Sequence, residues 1–166
     1  MLIEKLKERF GADILRVESA HGEDTVVVAR DRALEVLRAL HDDPSLSFNF
    51  LSDLTAVDWL ERSPRFDVVY HLRSLTHGYS LRVKVGVDAA DSWVSSVALI
   101  WKAADWLERE CYDMFGIRFE GHHDLRRILL YDSFVGHPLR KDYPYNRRQP
   151  IVEEIDPVTH PRHPSR

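Results

Sequence analysis

The chain has 166 residues, 44% of them hydrophobic and 30% charged, with a formal net charge of −4. That length and composition fit one globular domain with a real core and exclude wholesale disorder. The weak negative charge leaves no electrostatic footprint for nucleic acid. The acidic excess falls before Gly116 and a slight basic excess after it, both too small to carry an argument.

At the N-terminus, Glu4 and Lys5 stand where a signal peptide would need its apolar stretch, so export by that route is not expected. Leu2, Ile3, Leu6 and Phe10 recur at helical spacing, and Gly11 is placed to end that helix. Val17 and the run Thr25 to Val28 flank a turn-like His21-Gly22-Glu23-Asp24, which predicts a β-hairpin. Asp31 is placed to cap a second helix with Leu34, Leu37 and Leu40 on one face, stopped by Pro44. Phe48, Phe50 and Leu54 suggest a third strand.

The clearest alternation follows. Phe66, Val68, Tyr70 and Leu72 point one way, and Arg65, Asp67, His71 and Arg73 the other. After a turn at Thr76-His77-Gly78, Tyr79, Leu81, Val83 and Val85 alternate with Ser80, Arg82 and Lys84. One face of the sheet then lies on a core and the other is wet or covered by a partner. The order helix, two strands, helix, three strands predicts an α+β fold. It is a two-layer domain with helices packed on one face of a mostly antiparallel five-stranded sheet, and with an extended C-terminal segment.

Residues 103–115 predict a third helix, with Ala104, Leu107, Cys111, Met114 and Phe115 on one face and Gly116 as its stop. Asp105, Arg109 and Asp113, four apart, have the spacing of an exposed salt-bridged face. Six of the eight prolines lie beyond Gly116, and periodicity ends at Tyr145. The chain divides accordingly into an α+β domain over residues 1–116, a charged docking loop over 117–144 and a Pro-rich tail over 145–166.

The longest uncharged run, residues 92–101, is about half of a bilayer span, so any membrane association is indirect. The single Cys111 lies on the apolar stripe of the third helix, which predicts a buried, inert thiol, and one cysteine cannot hold an iron–sulfur cluster. The seven glycines form neither a dinucleotide fingerprint nor a phosphate loop. Among nine histidines, His122, His123 and His137 invite a metal reading, and with it that of a small free-standing metal-dependent enzyme. Adjacent histidines on a strand or loop tend to point apart, however, and loop hydrogen bonding is preferred. His160 and His163 lie in the tail. The doublets Arg126-Arg127, Arg140-Lys141 and Arg147-Arg148, interleaved with Tyr131, Phe134, Tyr143 and Tyr145, look like a small single-strand nucleic-acid surface. Glu120, Asp124, Asp132 and Asp142 nearly cancel them, and a protein–protein interface fits Arg and Tyr better. Such an extension either stays disordered or becomes ordered on a partner.

Residues 106–144 contain WLERE, YDMFGI, FEGH, DLRRIL and GHPLRKDYP in that order. This resembles the signature of the 30-kDa-type subunit family of proton-pumping NADH–quinone oxidoreductases (respiratory complex I). The likeness extends over residues 1–144 and is sharp over the last forty. His123 departs from it by standing where the family pattern has proline, and the tail after Pro144 is short and divergent.

The resemblance implies a non-catalytic structural subunit in the peripheral arm, with no catalytic residue, cofactor or metal of its own. FMN and iron–sulfur clusters are then carried by other subunits. The implied partners are the large quinone-pocket subunit and the iron–sulfur subunits that neighbour it. The implied location is the cytoplasmic face of the inner membrane, or the matrix side in a mitochondrion, peripheral through the complex. The equivalent subunit of a membrane-bound hydrogenase or another donor–quinone complex is the alternative. Glu108, Arg109, Glu110, Asp113, Arg126, Arg127, Arg140, Lys141 and Asp142 are the candidate interface and loop-locking residues.

Overall fold

A computed structural model describes residues 2–149. Helix α1 (Leu2–Phe10) leads through a 3-10 turn into strands β1 (Ile14–Ala20) and β2 (Glu23–Val28). Helix α2 (Ala33–Asp42) precedes β3 (Phe50–Asp58), β4 (Phe66–Arg73) and β5 (Ser80–Val87). A short β6 (Trp93–Ser95), helix α3 (Ala104–Phe115) and a short β7 (Arg118–Glu120) complete the order.

The five long strands form one sheet in the order β1-β2-β5-β4-β3. Three of its pairings are antiparallel, and β2 with β5 is parallel because α2, β3 and β4 intervene between them. The α+β fold with a mostly antiparallel five-stranded sheet is thus present as expected. The expected hairpin has a tighter turn than its sequence suggests. Only His21 and Gly22 lie outside the strands, with φ of 54° and 80°, the positive pair a two-residue hairpin turn demands.

The apolar sets of β4 and β5 face a core shared with Leu6 of α1 and with Val36, Leu37 and Leu40 of α2. Tyr70, Phe48 and Phe66 are its largest fully buried side chains, each contributing roughly 1.5–3 kcal/mol by leaving water. α3 packs mainly along β3 and places Ala104, Cys111, Met114 and Phe115 in the same core. As expected, Cys111 is buried, and burial pushes its thiol well above the ordinary range.

Four local expectations change. Asp31 does not cap α2: residues 30–32 form a 3-10 turn, and Arg32 stands at the N-cap with no side-chain bond. Phe50 is exposed and Leu51 buried, because a register shift between Leu51 and Asp53 offsets the start of β3. Asp67, expected on a wet face, is buried under the β3–β4 loop, where Trp59 Nε1 donates to it at 2.9 Å and Arg62 pairs with it. Lastly, β6 and β7 pair in parallel, and no periodicity in such short segments announces them. Ile117 and Phe119, on and beside β7, belong to the core.

Candidate functional site

Residues 121–149 form a strap with no helix or strand of its own. Its backbone groups therefore need partners elsewhere, and two buried carboxylates supply many of them.

The first is Asp113 on α3, with no exposed surface. Its Oδ2 accepts the backbone N–H groups of Ile128, Leu129 and Leu130 at 3.1, 2.9 and 2.9 Å. Three successive amides on one oxygen make an anion nest. Arg127 Nη1 donates to Oδ1 at 2.6 Å, while its Nη2 donates to the carbonyls of Phe134 and Gly136, both at 3.0 Å. Burial alone would raise the Asp113 carboxyl; the amides and Arg127 outweigh it and hold it below the usual range. Arg109 adds bonds from Nε and Nη2 to the carbonyls of Arg126 and Arg127 at 3.3 and 3.2 Å.

The end of α3 is tied down as well. His137 Nδ1 bonds the Asp113 carbonyl at 2.9 Å, and the Leu139 N–H donates to the Met114 carbonyl at 3.1 Å. Gly116 makes this possible twice over. Its φ is 77°, and a Cβ there would stand 2.7 Å from His137 Cδ2. Gly116→Ala is therefore expected to cost about 1–3 kcal/mol. It should also loosen the strap from His137 onward, read by thermal melting and by faster proteolysis in that segment.

The second carboxylate is Asp58, at the end of β3 and buried. Arg65 grips it bidentately, Nε to Oδ1 at 2.9 Å and Nη2 to Oδ2 at 2.7 Å. The backbone N–H of Lys141 donates to Asp58 Oδ2 at 2.8 Å, and that of Leu60 to Oδ1 at 2.8 Å. Arg65 Nη1 reaches Asp142 at 2.8 Å, and Arg140 donates twice to the same carboxylate at 3.1 Å. The guanidinium carbons of Arg65 and Arg140 lie 5.0 and 5.2 Å from the centroid of the Phe66 ring.

The Arg65 hydrogen bonds hold the Asp58 carboxyl down at about 2, burial opposing them and the Lys141 and Leu60 amides assisting. A depressed folded-state pKa contributes stability that is fully present above the unfolded value, roughly 3.9, and is lost as pH falls through the folded one. Acid titration from pH 5 to pH 2 is thus expected to remove about 2 kcal/mol through Asp58. In Asp58→Asn that component of the acid limb should vanish.

The nine candidate residues separate on this geometry. Arg109, Asp113, Arg127, Arg140, Asp142 and the backbone of Lys141 hold the strap. Glu108 is buried but turns elsewhere, accepting from Ser96 Oγ at 2.6 Å and from the Val97 N–H at 2.7 Å. Glu110 is exposed, and Arg126, also exposed, pairs with Asp124 at 2.9 Å. The exposed ladder Asp105–Arg109–Asp113 does not form. α3 is covered by the sheet on one side and by the strap on another, so its buried arc takes in Asp113, and Arg109 turns to carbonyls. Asp58 and Arg65, which sequence reasoning did not single out, prove central; the Asp58–Lys141 bond joins positions 83 residues apart, and no local signal marks it.

The histidine expectation also changes. The His122 and His123 rings stack with centroids 5.0 Å apart and planes 9° apart instead of diverging. His137 lies away from them against Tyr112. Arg127 and Arg140 are turned inward, and Arg147 lies over the Tyr143 ring, so the basic doublets do not line up as a nucleic-acid surface. Among the described residues no helix is long and apolar enough to cross a membrane.

The fold and the two locks define an α+β domain that wears residues 121–149 as a fixed external strap. The chain belongs to the family described as the 30 Kd subunit of respiratory-chain NADH dehydrogenase, whose pattern matches residues 26–149. The corresponding NADH-quinone oxidoreductase subunit of Citrifermentans bemidjiense is 53% identical over 140 residues, covering 84% of this chain and 86% of that one. Its counterpart in Geobacter sulfurreducens is 51% identical over 141 residues, with the same coverage of 84% and 86%. Among solved structures, a trypsin-resistant fragment of Nqo5 superposes with TM-score 0.67 at 37% identity, over 75% of this chain and all 100% of that one. A chain of an archaeal membrane-bound sulfane sulfur reductase superposes with TM-score 0.73 over 87% of this chain and 85% of that one. At 24% identity that likeness shows the fold alone. The family resemblance read from residues 106–144 is thereby borne out.

Proposed function

We propose that this chain is a structural subunit in the peripheral arm of a proton-translocating NADH–quinone oxidoreductase, one that performs no electron transfer itself. Its strap serves as the docking element. The observation that carries this reading is the contrast between the two sides of the strap. Inward, Asp113 and Asp58 fix its backbone. Outward, Leu129, Val135, Leu139 and Tyr145 stand exposed, a spacing of apolar and aromatic anchors suited to a protein partner. A segment fixed before it meets that partner loses less entropy on binding.

The partner in this proposal is the large subunit that forms most of the quinone pocket, with iron–sulfur subunits beside it; FMN and the clusters belong to those neighbours. The chain sits at the cytoplasmic face of the inner membrane, or the matrix side in a mitochondrion, held there by the complex. Membership in the 30-kDa-type family supports this over a hydrogenase-type assembly.

The test is charge reversal at the strap. Arg140→Glu combined with Lys141→Glu is expected to reduce incorporation into the complex at least tenfold. Flavin and cluster content of the complexes that do form should be unchanged. Normal assembly with lost quinone reduction would point to chemistry on this chain and overturn the reading.

A further inference from the structure

We infer that Asp105, His122 and His123 form a binding site for one divalent transition-metal ion of the zinc class, which pins the 121–124 turn to α3. This goes beyond the assembly role and against the sequence expectation that the chain holds no metal. His137 is not a member; Asp105 takes its place.

Both imidazoles aim Nε2 at the same carboxylate. His122 Nε2 lies 3.2 Å from Asp105 Oδ1, and His123 Nε2 lies 3.5 Å from Asp105 Oδ2. One ligand atom from each of the three residues falls within 4.8 Å of the other two. With metal–ligand bonds of about 2.0–2.1 Å in tetrahedral array, ligand atoms stand about 3.4 Å apart, and each histidine already lies near that distance from one of the two Asp105 oxygens. Two nitrogens and one oxygen suit zinc, cobalt or nickel better than calcium or magnesium, which prefer oxygen alone.

The electrostatics call for a cation independently of the spacing. Glu108, without exposed surface, brings its Oε2 to 4.0 Å from His122 Nε2. Among the described residues neither Asp105 nor Glu108 has a Lys or Arg in salt-bridge contact. Asp105 and Glu108 thus both face the His122 ring with no described Lys or Arg paired to either, and a divalent ion there would offset that negative charge.

Loading has a local cost that doubles as a reporter. The Asp124 N–H donates to His122 Nδ1 at 3.0 Å, so the proton of the metal-free ring sits on Nε2 and points at Asp105. Coordination through Nε2 moves that proton to Nδ1, and the Asp124 amide must turn away. The exposed turn can give where the helix cannot.

The full chain is to be titrated with zinc chloride by calorimetry, and with cobalt chloride by visible absorption. We expect saturable binding of one ion per chain, tetrahedral cobalt bands, a rise in melting temperature with zinc and a displaced Asp124 amide resonance. His123 is exposed, so His123→Ala should keep its metal-free melting temperature while binding at least about tenfold more weakly. Asp105→Asn should weaken binding similarly. Absence of saturable binding would overturn the site. So would zinc affinity unchanged in both variants, which would mark an adventitious ion only. Neither outcome touches the assembly reading, which stands on the strap.

Discussion

Asp113→Ala is expected to destabilise the chain by about 3–5 kcal/mol, the largest single effect among the candidate residues. The carboxylate has no exposed surface and serves four donors at once, three consecutive backbone amides and Arg127. Its removal leaves the guanidinium of Arg127, a side chain only 16% exposed, without its counter-charge, and three amides without an acceptor. Breaking a buried charge pair from one side costs in that range, because the remaining partner keeps its desolvation penalty. Asp113→Asn should be nearly as harmful. An amide oxygen can still accept from the nest, but the amide NH2 then faces the donors of Arg127. A double-mutant cycle with Arg127→Met should give a coupling of about 2 kcal/mol or more, since removing both partners leaves fewer buried groups unpaired. Denaturant midpoints check the sizes. Loss of proteolytic protection over residues 126–137, with the sheet intact, would locate the damage in the strap.

Arg65→Ala is the second large effect, about 3 kcal/mol. Arg65 bridges the sheet and the strap, bidentate on Asp58 and reaching Asp142. Without it, Asp58 is left buried beside two amides and no cation. The acid limb should also move. Loss of the strongest cause of depression raises the Asp58 carboxyl toward its unfolded value. Acid then removes less stability through Asp58 than in the parent chain, and the substitution costs less at pH 4 than at pH 7. Arg65→Lys should recover part of the stability but not all, because an ammonium cannot reproduce the fork on Asp58 while also reaching Asp142. Urea denaturation at pH 7 and pH 4 separates the two effects. Equal losses at both pH values, with no shift of the acid limb, would deny Asp58 the role given to it.

Sequence and structure agree where one face of an element meets one surface. β5 alternates cleanly because the core lies on one side of it. The core-facing residues expected on β4 and β5, Phe66, Val68, Tyr70, Leu81, Val83 and Val85, are all buried, although Asp67 and Val69 on the other face of β4 are buried as well. α3 and its stop at Gly116 were legible from an apolar stripe and a left-handed glycine. The same stripe misled at Asp113. A helix covered from two directions buries a wider arc than its apolar residues mark, and a carboxylate there takes its partners from the strap rather than from Arg109 four residues earlier. Asp58 and Arg65 were illegible for a different reason. Charged residues near strand ends usually face water, and Asp58's partner on the strap lies 83 residues away. His122 and His123 stack with ring planes 9° apart, an arrangement that two adjacent histidines do not announce in the sequence. The family signature, by contrast, was legible over residues 106–144, with His123 departing from it. It coincides with the helix and strap that hold each other, since a segment fixed by so many specific contacts tolerates few alternatives.

The central claim is that the chain works as a docked structural subunit. Affinity purification of the tagged full chain from its native cells, with mass spectrometry of what co-elutes, tests it most directly. The account predicts recovery of the quinone-pocket subunit together with flavin- and cluster-bearing partners, and their loss on Arg140→Glu with Lys141→Glu. Recovery of the chain alone, or with a nickel-bearing large subunit in place of NADH-oxidising ones, would contradict it.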